Sequence, residues 1–118
     1  MDFPLALPDK TMKNIFFLGG KEIGYFGLKF LLKNAGKLNI NVAGVLTSNK
    51  MITSCGLSFN ELCANHNIKI YNSLDDLLAL TNIDQIISVQ YHLILQKKHI
   101  EIAREYAINL HMAPLPEY

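Results

Sequence analysis

Short apolar runs alternate with helix-forming segments along this chain, and that alternation constrains its fold more than any other feature. Runs rich in β-branched and aromatic residues occur at 14–19, 39–46, 68–70, 84–89 and 108–111. We predict these five runs as strands, because short apolar runs bounded by turn residues are typical of buried strands. Helical segments between successive strands imply right-handed βαβ crossovers. The predicted fold class is therefore α/β, a parallel β-sheet with helices on both faces.

The helix after the first run is predicted to pack through one apolar face. The apolar side chains with helical spacing are Ile23, Phe26, Gly27, Phe30 and Leu31. Asn34 and Gly36 are expected to end this helix. A second helix is predicted after Ser58, which has the capping-box spacing to Glu61. Its apolar face would comprise Phe59, Leu62, Cys63 and His66.

Two more helices are predicted in the second half of the chain. Ser73, with Asp76 three residues later, is expected to begin one that extends to about Leu80. The other is predicted over 95–107, packing through the apolar side chains Ile100, Ala103 and Tyr106.

Composition limits the domain count and the classes of partner. The 118 residues, half of them hydrophobic, suit one domain with one core, predicted over 12–118, with 1–11 a leader or alternative start. A net charge of +1 gives no electrostatic reason to expect a nucleic acid as the main partner. No apolar run approaches the roughly 20 residues that span a bilayer. Cys55 and Cys63 form neither a CxxC pair nor a cluster with histidine, so no disulfide framework or metal site is indicated.

Ligands of parallel sheets bind beyond the carboxyl ends of the strands, where Gly19-Gly20, Gln90-Tyr91 and His111 are predicted to converge. The glycines read GGxxxGxxG rather than GxGxxG, and no acidic residue ends the second strand, so close helix–sheet packing is favoured over a dinucleotide site. The helix N-terminus could still hold a phosphate, with Lys21 beside it, although a solvated lysine fits equally well.

Asn109 and His111 are the strongest candidates for chemistry. Side chains two residues apart on a strand point to the same face, here at the strand's carboxyl end. The carboxamide could donate to an oxyanion, and a neutral imidazole could accept a proton. Pro114 and Pro116 then make the following segment rigid. Of the other histidines, His66 is expected to be structural, His99 solvent-facing, and His92 either at the cleft or outside it.

These residues resemble a known family. Asn109-Leu110-His111 followed by Pro114-Leu115-Pro116-Glu117-Tyr118 resembles the N-x-H and LP-x-Y signature of 10-formyltetrahydrofolate-dependent formyltransferases. Together with residues 88–92, it looks most like the branch that formylates the amino group of nucleotide-linked amino sugars. The resemblance covers 12–118 and implies a Rossmann-like N-terminal domain that is incomplete at its C-terminus.

The resemblance also implies roles for residues. His111 would take a proton from the attacking amine, and Asn109 would stabilise the tetrahedral oxyanion. The family's third catalytic residue, an aspartate, lies beyond Tyr118, so this chain alone is predicted to be weakly active or inactive. Backbone groups around Val89, Gln90 and Tyr91 would hold the pterin ring. Lys21 and Pro114 are weaker candidates for substrate contacts.

The resemblance implies a cytoplasmic enzyme whose partner is a dTDP-linked amino sugar, with no nucleic acid or membrane partner and a possible homodimer at full length. The nearest rival is methionyl-tRNA formyltransferase, but the segment 47–57 contains only Lys50 as a basic residue, which suits tRNA poorly. A phosphoribosylglycinamide formyltransferase is expected to have a glycine-rich phosphate loop with more backbone donors than Gly19-Gly20 offers. A folate- or nucleotide-binding module without catalysis is the non-enzyme alternative.

Overall fold

The structure is a computed structural model and describes residues 12–48 and 52–111. The elements, in chain order, are β1 (Lys13–Gly19), α1 (Lys21–Lys33), α2 (Ala35–Leu38), β2 (Ile40–Thr47), α3 (Phe59–Asn65), a 3₁₀ helix (Leu74–Ala79), β3 (Gln85–Val89), α4 (Lys97–Ile100) and β4 (Tyr106–Leu110). The predictions for 1–11, Lys50 and the Pro114–Tyr118 signature lie outside the described residues.

The four strands form one parallel sheet in the order β2-β1-β3-β4. This confirms the predicted α/β class. The chain leaves β1 towards β2 on one side and then crosses to β3 on the other side. The strand order therefore reverses between β1 and β3, and a crevice for ligands is expected at the carboxyl ends of these two strands.

Adjacent residues of β1 anchor two separate core clusters, because successive side chains of a strand point to opposite faces. Phe16 packs in the first cluster with Ile86 of β3 and Leu77 of the 3₁₀ helix. Phe17 packs in the second cluster with Leu28 of α1 and Phe59 of α3. Both faces of β1, a central strand, are thus covered by helices and loops, as is typical of parallel sheets.

The face on which α1 packs differs from the predicted one. The buried residues of α1 are Gly24 and Leu28, whereas Phe26 and Phe30 are 51% and 61% exposed. Gly24 lets the helix approach the sheet closely, since a Cβ there would lie 3.0 Å from the Val89 carbonyl oxygen. The helix has two apolar stripes, and its spacing alone did not reveal which one the sheet would select.

Two other predicted elements are shorter than expected. The strand predicted at 68–70 is reduced to an isolated bridge between Ile70 and Val45. The helix predicted over 95–107 is wrong beyond Ile100, where α4 ends. The backbone amides of Arg104 and Glu105 instead donate to the carbonyls of Ile83 and Asp84, which starts the pairing of β4 with β3. Long-range strand pairing overrides the local helical spacing there.

Both predicted helix starts are confirmed by hydrogen bonds. The Ser58 hydroxyl accepts from the Glu61 amide at 3.0 Å. Ser73 and Asp76 form a capping box, in which the Asp76 carboxylate accepts from the Ser73 amide at 3.1 Å. The helix that follows Ser73 is a 3₁₀ helix rather than an α-helix.

Candidate functional site

The loop after β1 and the loop after β3 meet at the reversal of strand order. The Gly20 amide donates to the Val89 carbonyl at 3.1 Å. Gln90 has a positive φ of 56°, and its amide donates to the Leu110 carbonyl at 2.9 Å. A Cβ at Gly20 would lie only 2.6 Å from the Gln90 carbonyl oxygen. Residue 20 must therefore be glycine for the two loops to approach this closely.

A cleft of about 440 Å³ opens beside this junction. The residues that line it are Tyr91, His92, Leu93, Ile94, Asn109 and His111. Asn109 and His111 are exposed and belong to the same side of β4 as Ala107, which packs against the first core cluster. The structure therefore places both candidate catalytic residues on one cleft, at the carboxyl end of the sheet.

The loop after β3 supplies the opposite side of the cleft. Tyr91 is buried, and its burial raises the pKa of the phenol, so the hydroxyl remains a hydrogen-bond donor at neutral pH. The His92 ring contacts the Tyr91 ring with centroids 4.6 Å apart. Leu93 and Ile94 follow as exposed apolar side chains, Ile94 being 81% exposed. This side thus combines aromatic, imidazole and aliphatic groups.

The three predicted cofactor residues are placed differently. Tyr91 lines the cleft directly. The Val89 side chain is buried in the second core cluster, and its carbonyl already accepts from Gly20. Gln90 lies between Val89 and Tyr91, and its backbone amide donates to the Leu110 carbonyl of β4. The Val89 carbonyl and the Gln90 amide thus already have hydrogen-bond partners within the protein, and the predicted role of these backbone groups in holding a ring stays a prediction.

Lys21 lines a different depression, of about 260 Å³, together with Glu22, Ser48, Ile52, Thr53 and Ser54. The Glu22 carboxylate there accepts hydrogen bonds from the Cys55 amide and the Ser54 hydroxyl, both at 2.9 Å. These bonds, the amide first, lower the pKa of Glu22 to about 2. The Glu22 carboxylate thus already places a negative charge in the first turn of α1. This charge disfavours the predicted binding of a phosphate at the helix N-terminus beside Lys21. Pro114 lies outside the described residues.

The remaining histidines are hydrogen-bonded within the protein. His66 is exposed at the C-terminus of α3, where its Nδ1 lies 3.0 Å from the Leu62 carbonyl oxygen. The prediction that His99 faces solvent is wrong, because the residue is 2% exposed and its ring is bonded to Asp75. The local sequence could not reveal this, since Asp75 lies 24 residues away.

The sequence prediction also missed Leu93 and Ile94 as cleft residues. Their signal was an apolar pair that follows Gln90-Tyr91-His92 after a strand and belongs to no predicted element of its own. Among the described residues, no three His, Cys, Asp or Glu side chains cluster as metal ligands would. No helix within 12–48 or 52–111 is long and apolar enough to cross a bilayer.

Comparison with solved structures identifies proteins that share this fold. No protein-family model and no curated protein matches the sequence. Homoserine dehydrogenase from S. aureus matches in structure at pH 6.0 and 6.5, with TM-scores of 0.61 and 0.60, 16% identity, and coverage of 86% of this chain and 26% of that enzyme. At that identity the match shows the shared Rossmann-like fold alone.

A second match bears on the site. WlaRD, a sugar 3N-formyltransferase solved in the presence of dTDP and 5-N-formyl-THF, aligns with a TM-score of 0.54 and 27% identity. The fold is formyltransferase-like. The alignment covers 80% of this chain but 32% of WlaRD, so the chain spans about a third of that enzyme's length.

Proposed function

We propose that this chain forms the N-terminal, folate-binding part of an enzyme that transfers a formyl group from 10-formyltetrahydrofolate to the amino group of a dTDP-linked amino sugar. The observation that carries the proposal is the shared cleft. Asn109 and His111 line it together with Tyr91, at the ligand-binding edge of a formyltransferase-like sheet. The WlaRD comparison supports both the donor and the acceptor class, because dTDP and 5-N-formyl-THF were present in that structure.

The cleft residues fit a folate ring. The cleft volume of about 440 Å³ lies within the range of about 300–1,000 Å³ typical of small-molecule sites. Leu93 and Ile94 offer apolar surface to a flat ring, and the Tyr91 hydroxyl is a hydrogen-bond donor. Such a mixture of apolar contacts and a few polar groups is typical of cofactor sites.

The chemistry follows from the two residues of β4 and its end. Bound 10-formyltetrahydrofolate supplies the formyl carbon that the amine attacks. The Asn109 carboxamide donates a hydrogen bond to the oxygen on which negative charge develops, and loss of such a donor costs about 2.7–4 kcal/mol in barrier. The His111 imidazole accepts the proton that the amine loses and returns it to N10 of the folate as the bond between the formyl carbon and N10 breaks, which releases tetrahydrofolate and the formylated amine.

A third group is needed for full activity. A histidine base works efficiently when a carboxylate fixes its tautomer, and loss of that carboxylate costs about 10⁴-fold in a comparable triad. The resemblance assigns this carboxylate to an aspartate beyond Tyr118. We therefore expect the 118-residue chain to bind folate but to turn over weakly or not at all.

The first experiment measures binding by the chain itself. Calorimetry with 5-formyltetrahydrofolate should show saturable binding to the wild type, and Tyr91→Ala should weaken it about tenfold, the effect expected when a buried aromatic contact is lost. Tyr25→Ala is a matched control, since that ring packs on Phe59 in the second cluster rather than at the cleft. An absence of binding by the folded wild type would refute the folate assignment.

The second experiment measures turnover, in a version extended by whatever the reading frame encodes after Tyr118. With 10-formyltetrahydrofolate and a panel of nucleotide amino sugars, Asn109→Ala and His111→Ala should each lower kcat by about 10²-fold or more. Asn60→Ala, at an exposed position of α3, should leave it unchanged. Formylation of methionyl-tRNA instead of the sugars would favour the rival enzyme, and unchanged turnover in both cleft variants would remove the proposed mechanism.

A further inference from the structure

A buried histidine outside the cleft is hydrogen-bonded through both ring nitrogens. The Gln96 amide donates to His99 Nδ1 at 3.1 Å, and His99 Nε2 lies 2.8 Å from Asp75 Oδ1. Because Nδ1 accepts a hydrogen bond, it carries no proton, and Nε2 must be the donor to Asp75. The surroundings therefore select the Nε2–H tautomer of His99.

The bond to Gln96 fixes the end of the segment that lines the cleft, residues 90–95, which we call the cleft loop. The start of the loop is held by the Gln90 amide, which donates to Leu110 of β4. Leu95 is buried in the first core cluster. Gln96 then begins α4, where the His99 ring accepts its amide and its carbonyl accepts the His99 amide at 2.9 Å. Leu93 and Ile94 lie between these two held ends of the cleft loop. Because both side chains are exposed, their position depends on the contacts at the two ends.

Asp75 connects this anchor to a different element, the 3₁₀ helix. Its carboxylate accepts from His99, and the Lys98 ammonium lies 3.5 Å away. The hydrogen bond from His99, followed by the charge of Lys98, lowers the pKa of Asp75. The acceptor is thus ionised at neutral pH, and a hydrogen bond to an ionised acceptor is stronger than a neutral one.

We propose that His99, oriented by Asp75, is a positioning residue that fixes the end of the cleft loop relative to Asn109 and His111. His99 itself is not one of the residues that line the cleft. The reading of the cleft as a folate site rests on the proposed function, whereas the anchoring of the loop stands on the hydrogen bonds alone. The hydrogen bonds of His99 connect the 3₁₀ helix, α4 and the end of the cleft loop. The exposed Asp75 carboxylate therefore influences a cleft that other elements form.

The test compares three variants of the 118-residue chain. Asp75→Ala removes the acceptor. Asp75→Asn keeps an oxygen that can accept from Nε2–H and should rescue most of the effect. Glu101→Ala is the matched control, because Glu101 is an exposed acid at the C-terminus of α4 that pairs with Lys97 at 3.9 Å. Hydrogen exchange of the cleft-loop amides and affinity for 5-formyltetrahydrofolate are measured for each.

Asp75→Ala should speed exchange of the Tyr91–Ile94 amides by about tenfold, the factor expected when a hydrogen bond to a charged group is lost. Its affinity for 5-formyltetrahydrofolate should fall by a similar factor, with Asp75→Asn near the wild type and Glu101→Ala unchanged. A ¹⁵N spectrum of wild-type His99 should show a protonated Nε2 and an unprotonated Nδ1, and this measurement needs no variant to fold.

Unchanged loop exchange in folded Asp75→Ala, or a ¹⁵N spectrum showing protonated Nδ1, would overturn the positioning role. The outcome for the proposed function is separate. If loop exchange rises as expected while the wild type binds no 5-formyltetrahydrofolate, the folate assignment fails and the anchoring of the loop stands.

Discussion

At the scale of single residues, the buried hydroxyl of Thr47 lowers the stability of the folded protein. Thr47 ends β2 beside Gly19, and within the described residues its buried hydroxyl has no hydrogen-bond partner. Thr47→Val should raise the free energy of unfolding by about 1 kcal/mol, because it removes an unsatisfied polar group at nearly constant volume. Urea denaturation measures the change.

Thr53→Val is the matched control for this prediction. Thr53 is also buried, but its hydroxyl accepts from the Leu57 amide at 3.1 Å. The same substitution should therefore lower the free energy of unfolding there by about 1 kcal/mol. Equal losses in the two variants would show that the Thr47 hydroxyl has a partner after all.

Glu22 predicts an acid-dependent contribution to stability. Its pKa falls from 4.5 to about 2 in the folded protein, since the carboxylate accepts from Cys55 and Ser54. A depressed pKa means that the contribution is fully present above pH 4.5 and is lost as the pH falls towards 2. In Glu22→Gln, the stability profile should be flatter over that interval.

This is measured by urea denaturation at a series of pH values from 2 to 7. Glu61→Gln serves as control, because the Glu61 backbone amide, rather than its carboxylate, makes the bond to Ser58. Identical acid slopes in the wild type and Glu22→Gln would contradict the assignment of this pKa.

At the scale of elements, the two loops at the strand reversal depend on Gly20. Gly20→Ala places a Cβ 2.6 Å from the Gln90 carbonyl oxygen, so one loop must move. We expect a loss of about 1–3 kcal/mol in the free energy of unfolding, the usual cost of overpacking. Gly36→Ala is the control, because a Cβ there meets nothing within 4 Å and alanine favours helix. Equal stability of the two variants would contradict the close approach.

Local sequence patterns were sufficient to predict some of the strands and helices but not others. The strand runs at 14–19 and 84–89 were recognisable because a buried parallel strand is apolar over its whole length. The helix predicted over 95–107 failed because its second half pairs with β3, and pairing between distant segments leaves no trace in helical spacing. The same applies to α1, whose buried stripe depends on where Gly24 meets β3.

At the scale of the whole molecule, apolar side chains remain exposed on two elements. They are Ile23, Phe26 and Phe30 of α1 and Tyr106, Ile108 and Leu110 of β4. Ile108 lies beside Ile87, which packs against the second core cluster beneath α1. Where such side chains form a contiguous patch, they mark interaction surfaces or aggregation-prone surfaces.

Substitution of these exposed side chains should therefore cost little stability. Phe30→Ser is expected to change the free energy of unfolding by less than about 0.5 kcal/mol and to reduce binding of the dye ANS. Phe17→Ala, at a fully buried position of β1, should cost about 3–5 kcal/mol. Thermal unfolding of both variants measures the contrast, and a large loss in Phe30→Ser would mean that the side chain is covered in solution.

The sequence by itself determined the α/β class, the helix starts at Ser58 and Ser73, and the common face of Asn109 and His111. Each of these follows from residues a few positions apart, where the periods of strand and helix act directly. Only the tertiary structure decided the buried stripe of α1, the bond between His99 and Asp75, and the junction of Gly20 with Gln90. Those contacts join distant segments, and they form because packing and hydrogen bonding are satisfied over the whole fold at once.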